Sequence, residues 1–160
     1  MPAKEIKELR QSGNLKEALT MAKAELEAQP DNIWAKRNIS WVYYDYMKQN
    51  ILPENLDSFI LYLTEIRNLG LPSEEKMLLD NLCWQIGTII FKSLGTNNFE
   101  HSKLVQLFEI SMSFEYSRPS EGYSFLFKAL HKLLKLNYKY LQFADWWNFD
   151  NFREEDFKKE

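Results

Sequence analysis

The chain has 160 residues, 45% of them hydrophobic and 27% charged, with five glycines and five prolines, which excludes a disordered or low-complexity polymer and leaves ample material for a core. A net charge of −3 gives no bulk attraction for nucleic acid or an anionic membrane surface. Cys83 is the single cysteine, so no intrachain disulfide can form, and a reducing, cytoplasmic compartment is the default expectation.

The opening MPAKEIKEL lacks an apolar signal core, and no run of about 18 uncharged apolar residues exists to span a membrane. A first helix is predicted over residues 3–12, with Ile6 and Leu9 inward. Gly13 closes it, because glycine adopts positive φ without strain. Asn14 stands where a side-chain oxygen can cap the next helix, with Glu17 three residues on in the manner of a capping box. Leu15, Ala18, Leu19, Ala22 and Leu26 then recur at helical spacing. Pro30 ends that helix, and Asp31 or Asn32 can cap a third, whose inward stripe is Ala35, Ile39, Val42 and Tyr46.

The spacing of this segment resembles the tetratricopeptide repeat over residues 3–48. Gly13, the small Ala18 five positions on and Pro30 twelve beyond it match the marks of that repeat of roughly 34 residues. Ile39, Ser40 and Tyr43 match the leucine, glycine and tyrosine positions of the next unit, whereas residues 49–53 replace its second turn. The resemblance implies antiparallel helix pairs stacked into a right-handed superhelix with a concave binding face. Some members of that family clamp a peptide carboxylate. Asn38 falls at one clamp position, but Trp34 and Lys7 occupy positions that would need lysine and asparagine, so a carboxylate ligand is not indicated. The IWAKRNISWVYYDY stretch also looks like helical modules at the N-termini of larger bacterial proteins, some in predicted defence or conflict systems.

Beyond Pro53, a fourth helix carries Leu56, Phe59, Ile60, Leu63 and Ile66 inward and ends at Gly70. The fifth opens at Ser73 and is apolar on nearly every side, from Met77 through Leu82, Cys83, Trp84 and Ile86 to Leu94, which predicts a helix buried among several neighbours, with Gly87 permitting a close crossing. A sixth is expected over residues 99–114, with Leu104, Leu107, Phe108 and Ile110 inward. A seventh opens at Pro119 or Ser120 and carries Tyr123, Phe125, Leu126, Phe127, Ala129, Leu130, Leu133 and Leu134. An eighth is expected over residues 138–147. No long apolar–polar alternation exists, so the fold class expected is all-α, with about eight helices and a less regular C-terminal half. Residues 1–147 are expected to form one helical-repeat domain. Residues 148–160 lose the periodicity and become charged, as in a tail or the start of a linker to a further domain.

Two surfaces carry candidate function. Trp34, Arg37, Trp41, Tyr44 and Lys48 form a second stripe on the third helix, at spacings of three and four. By the repeat alignment this stripe, with Lys7 and Arg10 of the first helix, would face the groove. Tryptophan, tyrosine and arginine dominate protein-binding surfaces because they bury large areas and keep polar handles. The competing reading is that later helices cover the stripe as core. The other surface is a lysine series, Lys128, Lys132, Lys135 and Lys139, flanked by His131, Tyr138 and Tyr140, within a segment (residues 101–140) of six basic and three acidic residues. It could follow a phosphate backbone, or be the solvated face of an amphipathic helix.

His101 and His131 are isolated, no metal-ligand spacing occurs, and no nucleotide-binding or nucleophile-elbow pattern is present. Neither catalysis nor a cofactor is therefore expected. The expected role is a non-catalytic module that holds a protein or peptide, or another domain of the same polypeptide, through Lys7, Arg10, Trp34, Arg37, Trp41 and Tyr44. The alternative is a nucleic-acid-binding accessory that uses the lysine face.

Overall fold

A computed structural model describes residues 2–72, 75–96, 100–116 and 120–136. Among these the chain is all-helical: α1 (Pro2–Gln11), α2 (Leu15–Ala28), α3 (Ile33–Gln49), a 3₁₀ turn (Pro53–Asn55), α4 (Leu56–Asn68), α5 (Lys76–Thr96), α6 (His101–Met112) and α7 (Glu121–Leu136). The eighth helix expected over residues 138–147 and the charged stretch of residues 148–160 lie outside the described residues. The chain divides into two compact units, one of residues 1–50 and 58–72, the other of residues 51–57 and 73–160.

In the first unit the turn chemistry acts locally. Gly13 has φ +83°. The Gly13 N–H donates to the Arg10 carbonyl at 3.1 Å and the Asn14 N–H to the Leu9 carbonyl at 2.8 Å, the paired bonds by which a left-handed residue closes a helix. Asn14 starts α2 through its backbone carbonyl, which accepts from Ala18 N–H at 3.1 Å, but its side chain makes no capping bond. Its ψ of 63° departs from the extended geometry that lets a capping side chain reach back. At α3 the expectation holds on Asn32, whose extended backbone aims the side-chain oxygen at Trp34 N–H, 2.9 Å away.

The core of this unit is built from the inward stripes: Ile6 of α1, Leu15, Ala18 and Ala22 of α2, and Ala35, Ile39 and Val42 of α3. Ala18, Ala22 and Ala35 are fully buried, so small side chains stand where α1, α2 and α3 pack on one another. Ser40 is buried too, and its hydroxyl donates to the Lys36 carbonyl one turn back at 2.7 Å, which satisfies the polar group within the helix. Phe59, Leu63 and Ile66 of α4 are fully buried, with Ile60 only partly so. Tyr62 stacks on Tyr46 at 5.0 Å between ring centroids and lies 6.1 Å from Tyr43, which joins α3 to α4 through rings. Burial pushes the Tyr43 hydroxyl above its ordinary pKa, with the Glu65 carboxylate adding to the effect.

In the second unit α5 packs along α7 and touches α6. Leu78, Leu79, Leu82, Cys83, Ile86, Ile89 and Ile90 are buried, but Met77 is 73% exposed and Trp84 39% exposed, so α5 is not enclosed on all sides as its composition suggests. Trp84 covers Phe125 of α7 instead, with ring centroids 4.7 Å apart. The close crossing expected at Gly87 is present: a Cβ there would lie 2.5 Å from the Phe125 ring. Two groups anchor the start of α7. The Ser120 hydroxyl accepts from Tyr123 N–H at 3.0 Å, and the Asp80 carboxylate of α5 accepts from Gly122 N–H at 3.0 Å. Lys103 of α6 pairs with Asp57 at 2.8 Å, and Lys92 of α5 donates to the Ile51 carbonyl at 3.2 Å, which ties residues 51–57 to this unit.

Candidate functional site

The aromatic–arginine stripe of α3 is on the surface of the first unit. Trp34 is 60% exposed, while Trp41 and Tyr44 are half-buried. Each ring is held by a neighbour one turn away or across from α1. The Arg37 guanidinium lies 4.3 Å from the Trp34 ring centroid and the Lys48 ammonium 5.8 Å from that of Tyr44. Trp41 meets Tyr44 edge to face at 5.2 Å. The Arg10 guanidinium sits 5.3 Å from the Trp41 ring and its Nε donates to the Asp45 carboxylate at 2.6 Å, with both side chains about one fifth exposed.

The structure thus brings Arg10, Trp41 and Tyr44 together and places Trp34 with Arg37. Arg10 is already neutralised by Asp45, so it acts here as a brace for Trp41 rather than as an open cation. Lys7 is exposed on α1.

Beside Trp34 is a cavity of about 820 Å³ that sequence reading missed. It opens between the first residues of α1, the last two turns of α2 and the start of α3. Pro2, Ala3, Met21, Ala24 and Ala28 supply apolar walls. The polar wall is made by Gln29, Asn32, Glu25 of α2 and Asn38, which lies one turn beyond Trp34 on the same face of α3. The Asn38 amide donates to a Glu25 carboxylate oxygen at 2.9 Å. Among the described residues Glu25 is the one ionisable side chain that lines the cavity, and no basic group lies within ion-pair distance of it. A cavity of this size with a few convergent polar groups fits the general description of a ligand pocket. The available signal was the set Met21, Ala24, Glu25 and Ala28, a second face of α2 distinct from its buried stripe, whose small residues leave room for something else.

On α7 the structure places Lys128, Lys132 and Lys135 on one exposed stripe, spaced four and three apart; Lys139, Tyr138 and Tyr140 lie outside the described residues. The Lys132 ammonium lies 5.8 Å from the Phe91 ring of α5. His131 is half-buried, and burial, with the Lys135 ammonium nearby, lowers its pKa. Cys83 is buried, and desolvation together with the Asp80 carboxylate raises its pKa far above that of a free thiol, so it stays protonated and weakly nucleophilic. Among the described residues no group of three or more His, Cys, Asp or Glu side chains is placed to hold a metal ion, and no helix is long and apolar enough to cross a membrane. No protein-family model, curated protein or solved structure matches this chain.

Proposed function

We propose that the chain is a non-catalytic helical module, of the tetratricopeptide-repeat kind in its first unit, that binds a protein segment on the α1–α3 face. The observation that carries this reading is Trp34, 60% exposed, oriented by Arg37 and standing at the edge of an 820 Å³ cavity. A large ring held open to water costs solvation that a partner recovers, and a ring fixed in advance loses little entropy on binding. Trp41 and Tyr44, braced by Arg10 and Lys48, extend the same face along α3.

Selection of a displayed random-peptide library on the immobilised chain tests this. Trp34→Ala is expected to weaken the selected peptides by about 2 kcal/mol, roughly thirtyfold in Kd, with the helical circular dichroism of the chain unchanged. Peptides that bind Trp34→Ala as well as the parent chain would overturn the reading.

A second reading rests on the exposed stripe Lys128, Lys132 and Lys135, which could follow a phosphate backbone. It predicts that a fluorescein-labelled oligonucleotide binds in low salt, that log K falls steeply with log salt, and that replacing the three lysines with glutamine removes about two to three units of that slope. Fluorescence anisotropy without such a response would retire this alternative and leave the α3 face as the working surface.

A further inference from the structure

We infer that the cavity between α1, α2 and α3 selects a basic residue of the bound segment, taking an apolar side chain against Met21 and Ala28 and placing a neighbouring lysine or arginine between the Glu25 carboxylate and the Trp34 ring. This inference rests on the α3-face reading and names the chemistry of its partner.

Charge complementarity carries it. Among the described residues Glu25 contributes the only ionisable side chain of the cavity wall, and Asn38 is its one hydrogen-bond partner. The Asn38 amide uses one oxygen and fixes the orientation of the carboxylate, which leaves the second oxygen available to a cation. A carboxylate held partly out of water beside apolar walls gains most from a cationic ligand and repels an anionic one. Trp34 adds to the same preference. Arg37 already occupies one contact with this ring, 4.3 Å from its centroid, so a ligand cation uses the ring surface that Arg37 leaves exposed.

The position of the two groups supports a single subsite. Asn38 follows Trp34 by four residues on α3, so the ring and the amide that holds Glu25 lie on one helical face, a turn apart. The cavity is larger than one side chain needs and suits a short stretch of polypeptide, which is why the apolar neighbour belongs to the same ligand. The same geometry disfavours a peptide carboxylate and a nucleic-acid phosphate, both of which would meet Glu25 head on.

The test uses the full chain and a displayed random heptapeptide library, selected in parallel on the parent chain, on Glu25→Lys and on Trp34→Ala. Glu25 is partly exposed, and an unchanged helical circular dichroism spectrum with a parallel thermal melt shows that the variant folds. Peptides selected on the parent chain are expected to carry lysine or arginine next to a large apolar residue. Synthetic copies of them are expected to bind Glu25→Lys about tenfold or more weakly, whereas the Glu25→Lys selection shifts to acidic peptides. A conservative Glu25→Gln variant should show an intermediate loss, because it keeps the shape and removes the charge. If parent-selected peptides depend on Trp34 but show no basic preference, or bind Glu25→Lys unchanged, this inference fails while the α3-face reading survives. If no selected peptide depends on Trp34, both fail together.

Discussion

Phe59→Ala is expected to lower the stability of the first unit by about 3–5 kcal/mol, the usual cost of emptying a buried phenylalanine site. Phe59 is fully buried in α4, as are Leu63 and Ile66, and all three belong to the unit of residues 1–50 and 58–72. A unit of about 65 residues draws only about 3–5 kcal/mol of net stability from one hydrophobic core, so a single cavity consumes most of the margin. The readout is native-state hydrogen exchange. Amides in the buried part of α3, from Ile39 to Met47, should lose at least about a hundredfold in protection, since each 1.4 kcal/mol is a factor of ten. Leu61→Ala is the matched control. It lies two residues away on the same helix but is 56% exposed, and it should change stability by about 0.5 kcal/mol or less. If the two variants behave alike, α4 does not complete this core.

The contrast between Phe59 and Leu61 was legible from periodicity alone, and so were most of the inward stripes. Turns were legible for a related reason: glycine at positive φ and an Asn cap act over three or four residues, within reach of local reading. Gly13 and Asn32 behave as expected, while Asn14 does not, because whether its side chain or its backbone starts the helix depends on a ψ angle that composition does not set. Contacts between distant residues were not visible. Arg10 pairs with Asp45 across 35 positions, which turns an expected open cation into a brace for Trp41. On α5, apolar residues on every side carry no phase, so the outward placing of Met77 and Trp84 could not be read. The cavity was the hardest feature to foresee. Its apolar walls are alanines, a proline and a methionine from α1 and α2, and small residues signal room without saying whether a neighbour or a ligand fills it.

The α5–α7 contact makes the sharpest demand on residue identity, and Gly122→Ala is expected to cost about 3 kcal/mol. A methyl group at Gly122 would lie 2.6 Å from the backbone carbonyl oxygen of Asp80 and would also collide with its carboxylate. The carboxylate could swing aside, but the carbonyl belongs to the α5 backbone and cannot, so α7 must move off α5. Overpacking of this kind costs about 1–3 kcal/mol. The same displacement stretches the 3.0 Å bond from Gly122 N–H to Asp80, a hydrogen bond to a charged group worth about 1.5–3 kcal/mol. Urea unfolding followed by circular dichroism measures the sum. Two glycines of α5 calibrate it. Gly87→Ala meets the Phe125 ring first, a side chain that can rotate at the expense of its stacking on Trp84, and should cost less than Gly122→Ala. Gly95→Ala meets nothing within 4 Å and should be neutral or stabilising by up to about 1 kcal/mol, since alanine suits a helix better. Asp80→Ala in the Gly122→Ala background separates the two contacts: it removes the carboxylate and leaves the carbonyl. Rescue by that second change would place the clash on the side chain. Continued instability, the expected result, places it on the backbone and makes glycine at 122 a condition of how closely α7 approaches α5.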